Sequence, residues 1–350
     1  MLKLRRGTVV SADPLEVETG GEVRRAWADP GSVGPCQAGD EVIVNTAALD
    51  LELGSGGFDI VHVNLSRGLE GGDTPEGVHV IKLNYSSLQH AVDPIESPAG
   101  TPPRPRRRIP VLVFQLHGHL APAIWAAAQA RSELKIGYVQ TAGGALPGAL
   151  SRDVATLRER DLLAGHITVA PTYGGELEAI STVGALHAAA MELDWDAVIA
   201  GPGPGILGSA SRYGHGGMAA LDTLHGSLAL GLPTLLCPRL SSGDPRSRHR
   251  GISHHSRAVL ELALAPVRVP YPINVEQHWP ADHTRSVLGT LGQGIDAVCG
   301  ESHVPDPQEV DLDGYKEAGL PTRTMGRGIE EDPLFFSAPL AAGAALAAAS

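Results

Sequence analysis

The chain has 350 residues, 43% of them hydrophobic and 19% charged, with a formal net charge of -12. That length and balance supply one large core, or a large and a small one, and exclude bulk disorder. The acidic excess repels phosphate backbones and anionic headgroups at long range, which excludes a general nucleic-acid or membrane surface.

The amino terminus, MLKLRRGTVV, runs into a strand-like segment without an apolar export stretch. Up to residue 85 the chain reads as short strands: Thr8–Val10, Leu15–Thr19, Val23–Trp27, Glu41–Thr46, Ile60–Asn64 and Val78–Leu83. Each is β-branched or alternating, with Gly-Gly, Asp-Pro and Gly-Asp turn pairs between them. A small β barrel or sandwich over residues 1–92 is the expectation. The Gly54–Gly57 stretch (GSGG) has no helix after it and reads as a loop or bulge. Residues 93–110, DPIESPAGTPPRPRRRIP, hold six prolines and an arginine run and read as a semi-rigid linker.

From residue 111 the rhythm changes. VLVFQL (111–116), LKIGYV (134–139), HITVA (166–170), DAVIA (196–200), PTLLC (233–237) and PVRVP (266–270) are short apolar runs of the kind buried on both faces of a parallel sheet. Helical stretches alternate with them at Ala121–Ala130, Leu150–Leu162, Glu176–Leu193, Met218–Leu230 and His254–Leu264. The pattern predicts a doubly wound, mostly parallel open sheet, Rossmann-like, over residues 111–350. A final Ala-rich helix, too short for a membrane span, is expected from Pro333, packed back on the sheet or on a second subunit as a homodimer seam.

Ligands in such sheets bind outside the carboxyl ends of the strands. The loops predicted there carry His117-Gly-His119, TAGGALPG (141–148), PTYGGE (171–176), GPGPGILGSASRYGHGG (201–217) and PRLSSGDPRSRHRGISHHS (238–256). Three of them read as glycine loops opening helices, the general setting of an anion site. Gly203, Gly205 and Gly208 satisfy GxGxxG, but in the fourth βα unit and with no ribose-binding acid following, so dinucleotide binding is the weaker reading. No lysine sits in a P-loop pattern.

Charge gives the strongest signal. From Arg239 to Arg257 there are five arginines, three histidines and one acid, Asp244, a segment of net +4 in an acidic protein. Such crowding asks for carboxylates from elsewhere or an anionic ligand. His254 and His255 follow Ser253, an N-cap, where the helix dipole disfavours imidazolium. Neutral imidazoles can serve as general bases or metal ligands, although cationic surroundings oppose a divalent ion. His187 reads as a packing residue. No GxSxG, HExxH or paired Cys/His signature occurs, and Cys36, Cys237 and Cys299 form no framework, which fits a reducing cytoplasm. A covalent nucleophile is not indicated.

Six segments together resemble one family: GDEVIVNTAALDLELGSGGFDIVHVNL (39–65), YVQTAGGALPGALSR (138–152), TYGGELEAISTVGAL (172–186), GPGPGILGSASRYGHGG (201–217), DPRSRHRGISHHS (244–256) and TMGRGIEEDPLFF (324–336). The chain resembles the uncharacterised bacterial family DUF3866 over nearly its whole length. The resemblance implies no assigned activity and carries no site residues.

The residues themselves predict an enzyme for a small anionic molecule bearing phosphate or carboxylate. Gly143, Gly144, Gly174, Gly175, Glu176, Gly203, Gly205 and Gly208 would line the pocket, and Arg212, Arg246, Arg248 and Arg250 would neutralise the anion. His117, His119, His215, His254 or His255 would move a proton, with Asp244 orienting one of them. The alternatives are a non-catalytic nucleotide or metabolite sensor that docks a partner, and a metal-dependent hydrolase.

Overall fold

A computed structural model describes residues 2–52, 56–69, 77–275 and 291–350. The chain divides into two compact units, Met1–Asp93 and Pro94–Ser350.

In the first unit β1 (Leu4–Ala12), β2 (Leu15–Thr19), β3 (Glu22–Trp27), β4 (Glu41–Asn45) and β5 (Asp59–Asn64) close into a barrel in the order β1–β2–β3–β5–β4. Alternation along these strands turns Val9, Val17, Val42, Val44 and Val61 inward as the core. Closure leaves no unpaired edge. Gly7 is required where the barrel is tightest, because a Cβ there would lie 2.6 Å from Val17 and 2.7 Å from the Glu18 carbonyl. A hairpin of β6 (Val80–Lys82) and β7 (His90–Val92) follows. The GSGG stretch lies partly outside the described residues.

The second unit is the expected α/β fold. Its sheet comprises β8 (Val111–Val113), β9 (Ile136–Thr141), β10 (Gly165–Val169), β11 (Leu177–Ala179), β12 (Ala197–Pro202), β13 (Thr234–Leu236), β16 (Arg268–Pro272) and β17 (Val304–Gln308). The order is β11–β10–β9–β12–β8–β13–β16–β17, and every neighbouring pair is parallel. After β8 the chain moves outward to β9, β10 and β11, returns at β12 beside β8, then builds the other half from β13. The crossovers therefore leave β8 and β12 in opposite directions, so the topological switch point, where such sheets bind ligands, lies at their carboxyl ends. A short hairpin, β14 (Leu240–Ser241) with β15 (Gly251–Ile252), carries the arginine-rich segment after β13.

Three sequence expectations are revised. The helix expected from Glu176 starts at Thr182, because Leu177–Ala179 pairs with β10 as an edge strand. Strand β17 was not anticipated: Pro305 and Pro307 lack ladder donors, which a strand paired on one side tolerates. The segment read as a linker lies along the second unit: Ile95 N–H donates to the Glu178 carbonyl, Glu96 accepts from Ile180 and Ser181, and Arg108 donates to the Gly231 carbonyl.

The C-terminal helix Pro333–Ala349 is buried along most of its length and packs on the helix Leu120–Ala130. A Cβ at Gly343 would lie 2.0 Å from the Ala123 carbonyl, so the two helices touch backbone to backbone. A helix apolar all round is one covered all round; this one is covered by its own chain and is not free to form a dimer seam. No helix among the described residues is long and apolar enough to cross a membrane.

Candidate functional site

The site begins with Gln115, just beyond β8. Its amide donates to the Gly217 carbonyl and its oxygen accepts from Ser256, which joins the β8 end to the loop after β12 and to the helix His254–Leu262. Ser253 caps that helix by accepting from His255 N–H, as predicted. Its first turn presents His254 and His255; the loop after β12 presents His215, and the β14–β15 hairpin presents His249.

These four imidazoles pack ring on ring. His215 and His255 are stacked with centroids 3.5 Å apart and planes 9° apart, and His254 lies 4.4 Å from His255 and 5.5 Å from His215. His249 meets His254 and His255 edge-on at 4.8 and 4.9 Å. Burial, followed by the neighbouring imidazoles and Arg239, pushes His255 down to about 2. Burial, Arg239 and Arg246 push His249 to about 3, and His215 and His254 are lowered chiefly by burial too. All four are neutral near pH 7.

The tautomers follow from the partners. His215 Nε2 faces the Arg212 carbonyl at 3.1 Å, so Nε2 carries the proton and Nδ1 an open lone pair. His255 Nδ1 accepts from Arg239 at 3.3 Å, which places its proton on Nε2. His215 Nδ1 and both nitrogens of His254 are buried without a hydrogen-bond partner among the described residues.

Behind the rings lies an ion cluster. Asp244, fully buried, accepts from Arg239 at 3.2 Å, from Arg246 at 2.9 Å and from Arg327 at 3.4 Å; Arg327 also reaches Asp332 at 3.1 Å. Three guanidinium groups thus share two carboxylates. Burial pushes the Asp244 carboxyl up, but the bonds and charge of Arg246 with the charge of Arg327 outweigh it and hold the group well below its usual range. Arg239 is 3% exposed, its Nε has no partner among the described residues, and burial lowers it to about 10. Asp244 therefore holds arginines, and among the described residues it makes no hydrogen bond to a histidine. Arg250 donates to the Asp244 carbonyl, and Arg248 is exposed at the rim.

Other expected residues sit elsewhere. Arg212 is paired with Glu261 and stacks on Tyr213, and Glu176 is paired with Arg158. His117 and His119 face apart: His117 bonds Ser151 and the Pro202 carbonyl, while His119 meets Cys237 Sγ at 3.4 Å and the Phe335 ring. His187 bonds Ser97 and the Pro102 carbonyl as a packing residue.

The glycines act mainly on one another. A Cβ on Gly143 would lie 2.4 Å from the Gly216 carbonyl, one on Gly144 2.2 Å from that of Gly203, and Gly174 packs on Gly148. Gly175 lies against Thr168. These glycines let neighbouring loops pack backbone to backbone. Gly205 alone of the set faces open space, and Gly208 bridges His215. After Gly208 the helix begins only at Ala219, so the GxGxxG does not open a helix and the dinucleotide fingerprint lacks its context.

Sequence reasoning missed His249, Arg239 and Arg327 as site residues. The first two lay inside the quoted basic segment; Arg327, 83 positions from Asp244, carried no local signal. Residues 25–343 match the family described as "Protein of unknown function (DUF3866)", and the chain belongs to that family. No curated protein matches it.

Proposed function

Membership of a family of unknown function assigns no activity, and from the residues themselves we propose an enzyme that binds a small molecule bearing phosphate or carboxylate and moves a proton on it. The carrying observation is the juxtaposition of Arg239, a nearly fully buried guanidinium with an unpartnered Nε, and neutral imidazoles with unpartnered nitrogens. Buried polar atoms without partners are costly, and an oxyanion with an adjacent hydroxyl satisfies both kinds. Arg239 and the rim Arg248 hold the charge. His215 Nδ1, fixed as the acceptor by the Arg212 carbonyl, takes the proton, and His254, whose ring centroid lies 5.5 Å away, relays it. The three cysteines are free, which supports a cytoplasmic setting.

Thermal shift with inorganic phosphate and a carboxylate panel tests this. Phosphate should raise the midpoint, and Arg248→Ala or His254→Asn should reduce the rise. A midpoint indifferent to every anion removes the proposal.

A second reading is a divalent transition-metal site, favoured because ligand atoms of His215, His254 and His255 lie within 4.8 Å of one another. It is the weaker one. Imidazole lone pairs lie in the ring plane, and the nearly parallel planes of His215 and His255 do not converge on one ion. The His255 ring would have to turn away from Arg239.

A further inference from the structure

We infer that Ser151 and His117 form a serine nucleophile with its general base, acting on small carboxylic esters. His117 Nε2 and Ser151 Oγ are 2.6 Å apart, and His117 Nδ1 faces the Pro202 carbonyl at 3.2 Å. A carbonyl only accepts, so Nδ1 carries the ring proton and Nε2 presents its lone pair to the Ser151 hydroxyl. This is the nucleophile, base and orienting group of serine catalysis, with a main-chain carbonyl in the third role. Burial keeps His117 neutral and able to accept, and the Asp153 carboxylate, 3.9 Å from Nε2, favours the imidazolium that forms.

Ser151 also caps the helix Arg152–Glu159, accepting from Val154 N–H at 3.1 Å. The first-turn N–H groups of Arg152 and Asp153 have no intrahelical acceptors and stand next to the nucleophile, as donors to a developing oxyanion. Ser151 is 4% exposed and lies between the exposed residues Ala149 and Arg152. Among the described residues the pair shares no hydrogen bond with the imidazole cluster, and it stands independently of the anion reading.

In the reaction the Ser151 Oγ lone pair adds to the ester carbonyl carbon, the carbonyl π pair moves to oxygen, and the hydroxyl proton passes to His117 Nε2. Collapse of the adduct expels the alkoxide, which takes that proton and leaves as alcohol. Water then attacks the acyl-serine with its proton passing through the same nitrogen, releasing the acid and restoring Ser151. No oxidant or cofactor is needed.

The full chain is treated with a fluorophosphonate and, separately, with p-nitrophenyl acetate. The expected results are one phosphonyl adduct on Ser151 and ester hydrolysis above background. Ser151→Asn retains a helix cap and should lose both, while His117→Gln should slow labelling by about 10²-fold or more. Labelling at another serine, equal rates in His117→Gln, or neither adduct nor hydrolysis above that of Ser151→Asn overturns the inference.

Discussion

The imidazole of His215 lies flat on that of His255, with centroids 3.5 Å apart. Two imidazolium ions would repel strongly at that spacing, so the stack exists only with at least one ring neutral, and burial beside Arg239 keeps both so.

Acid should therefore destabilise the protein well before its carboxylates titrate. His249 and His255 are held at about 3 and about 2 in the folded chain, against about 6.5 when unfolded. Below pH 6.5 the unfolded chain takes up protons the folded one refuses. The stability is fully present above that pH and is lost as pH falls toward the folded values, by up to about 1.4 kcal/mol per pH unit for each such histidine. Urea midpoints should fall between pH 7.5 and 5, and His255→Gln should flatten the fall. Equal midpoints at both pH values would contradict it.

Asp244→Asn should be among the most damaging single substitutions in the second unit. It leaves Arg239, Arg246 and Arg327 facing a neutral amide, and removing one partner from a buried ion cluster costs about 3–5 kcal/mol. Arg246→Ala should cost far less, since Arg246 is exposed and Asp244 keeps two other arginines. Chemical denaturation of the two variants gives the comparison; similar losses would show that the cluster is not cooperative.

What the sequence made legible follows from what is local. The runs at 111–116 and 196–200 are continuous because both faces of β8 and β12 are covered, so the parallel sheet could be read directly. The basic segment also announced itself, since its arginines and histidines are close in sequence. Its distant partners did not: Arg327, which adds a third guanidinium to Asp244, and Asp332, which pairs with Arg327, come from just before the C-terminal helix. Nor did the role of the glycines, because contact between Gly143 and Gly216 depends on β9 and β12 being neighbours, which a linear reading does not order.

That loop contact gives a contrast between two glycines. A Cβ on Gly216 would lie 1.9 Å from the Gly143 carbonyl, backbone that cannot move aside, so Gly216→Ala should displace the loop carrying His215 and reduce the phosphate response. Gly205 has φ +69° and nothing within 4 Å, so Gly205→Ala meets only backbone strain, about 1 kcal/mol. Thermal midpoints with and without phosphate separate the two; an unaltered phosphate response in Gly216→Ala would mean that the loop packing does not position His215.

Chelation distinguishes the anion reading from the metal one. If Arg239 and the imidazoles hold an oxyanion directly, dialysis against EDTA should leave both the thermal midpoint and its rise with phosphate unchanged. A structural or catalytic divalent ion on three histidines would instead make the midpoint fall on chelation and recover on adding zinc. The geometry favours the first outcome: a dication at the mouth of the cluster would stand near the charges of Arg239, Arg246 and Arg248, which already depress His254. It would also require His255 to present the nitrogen that now accepts from Arg239, or to reverse its tautomer and lose that bond. Stoichiometric zinc in the purified protein, lost together with the phosphate response, would reverse the assignment.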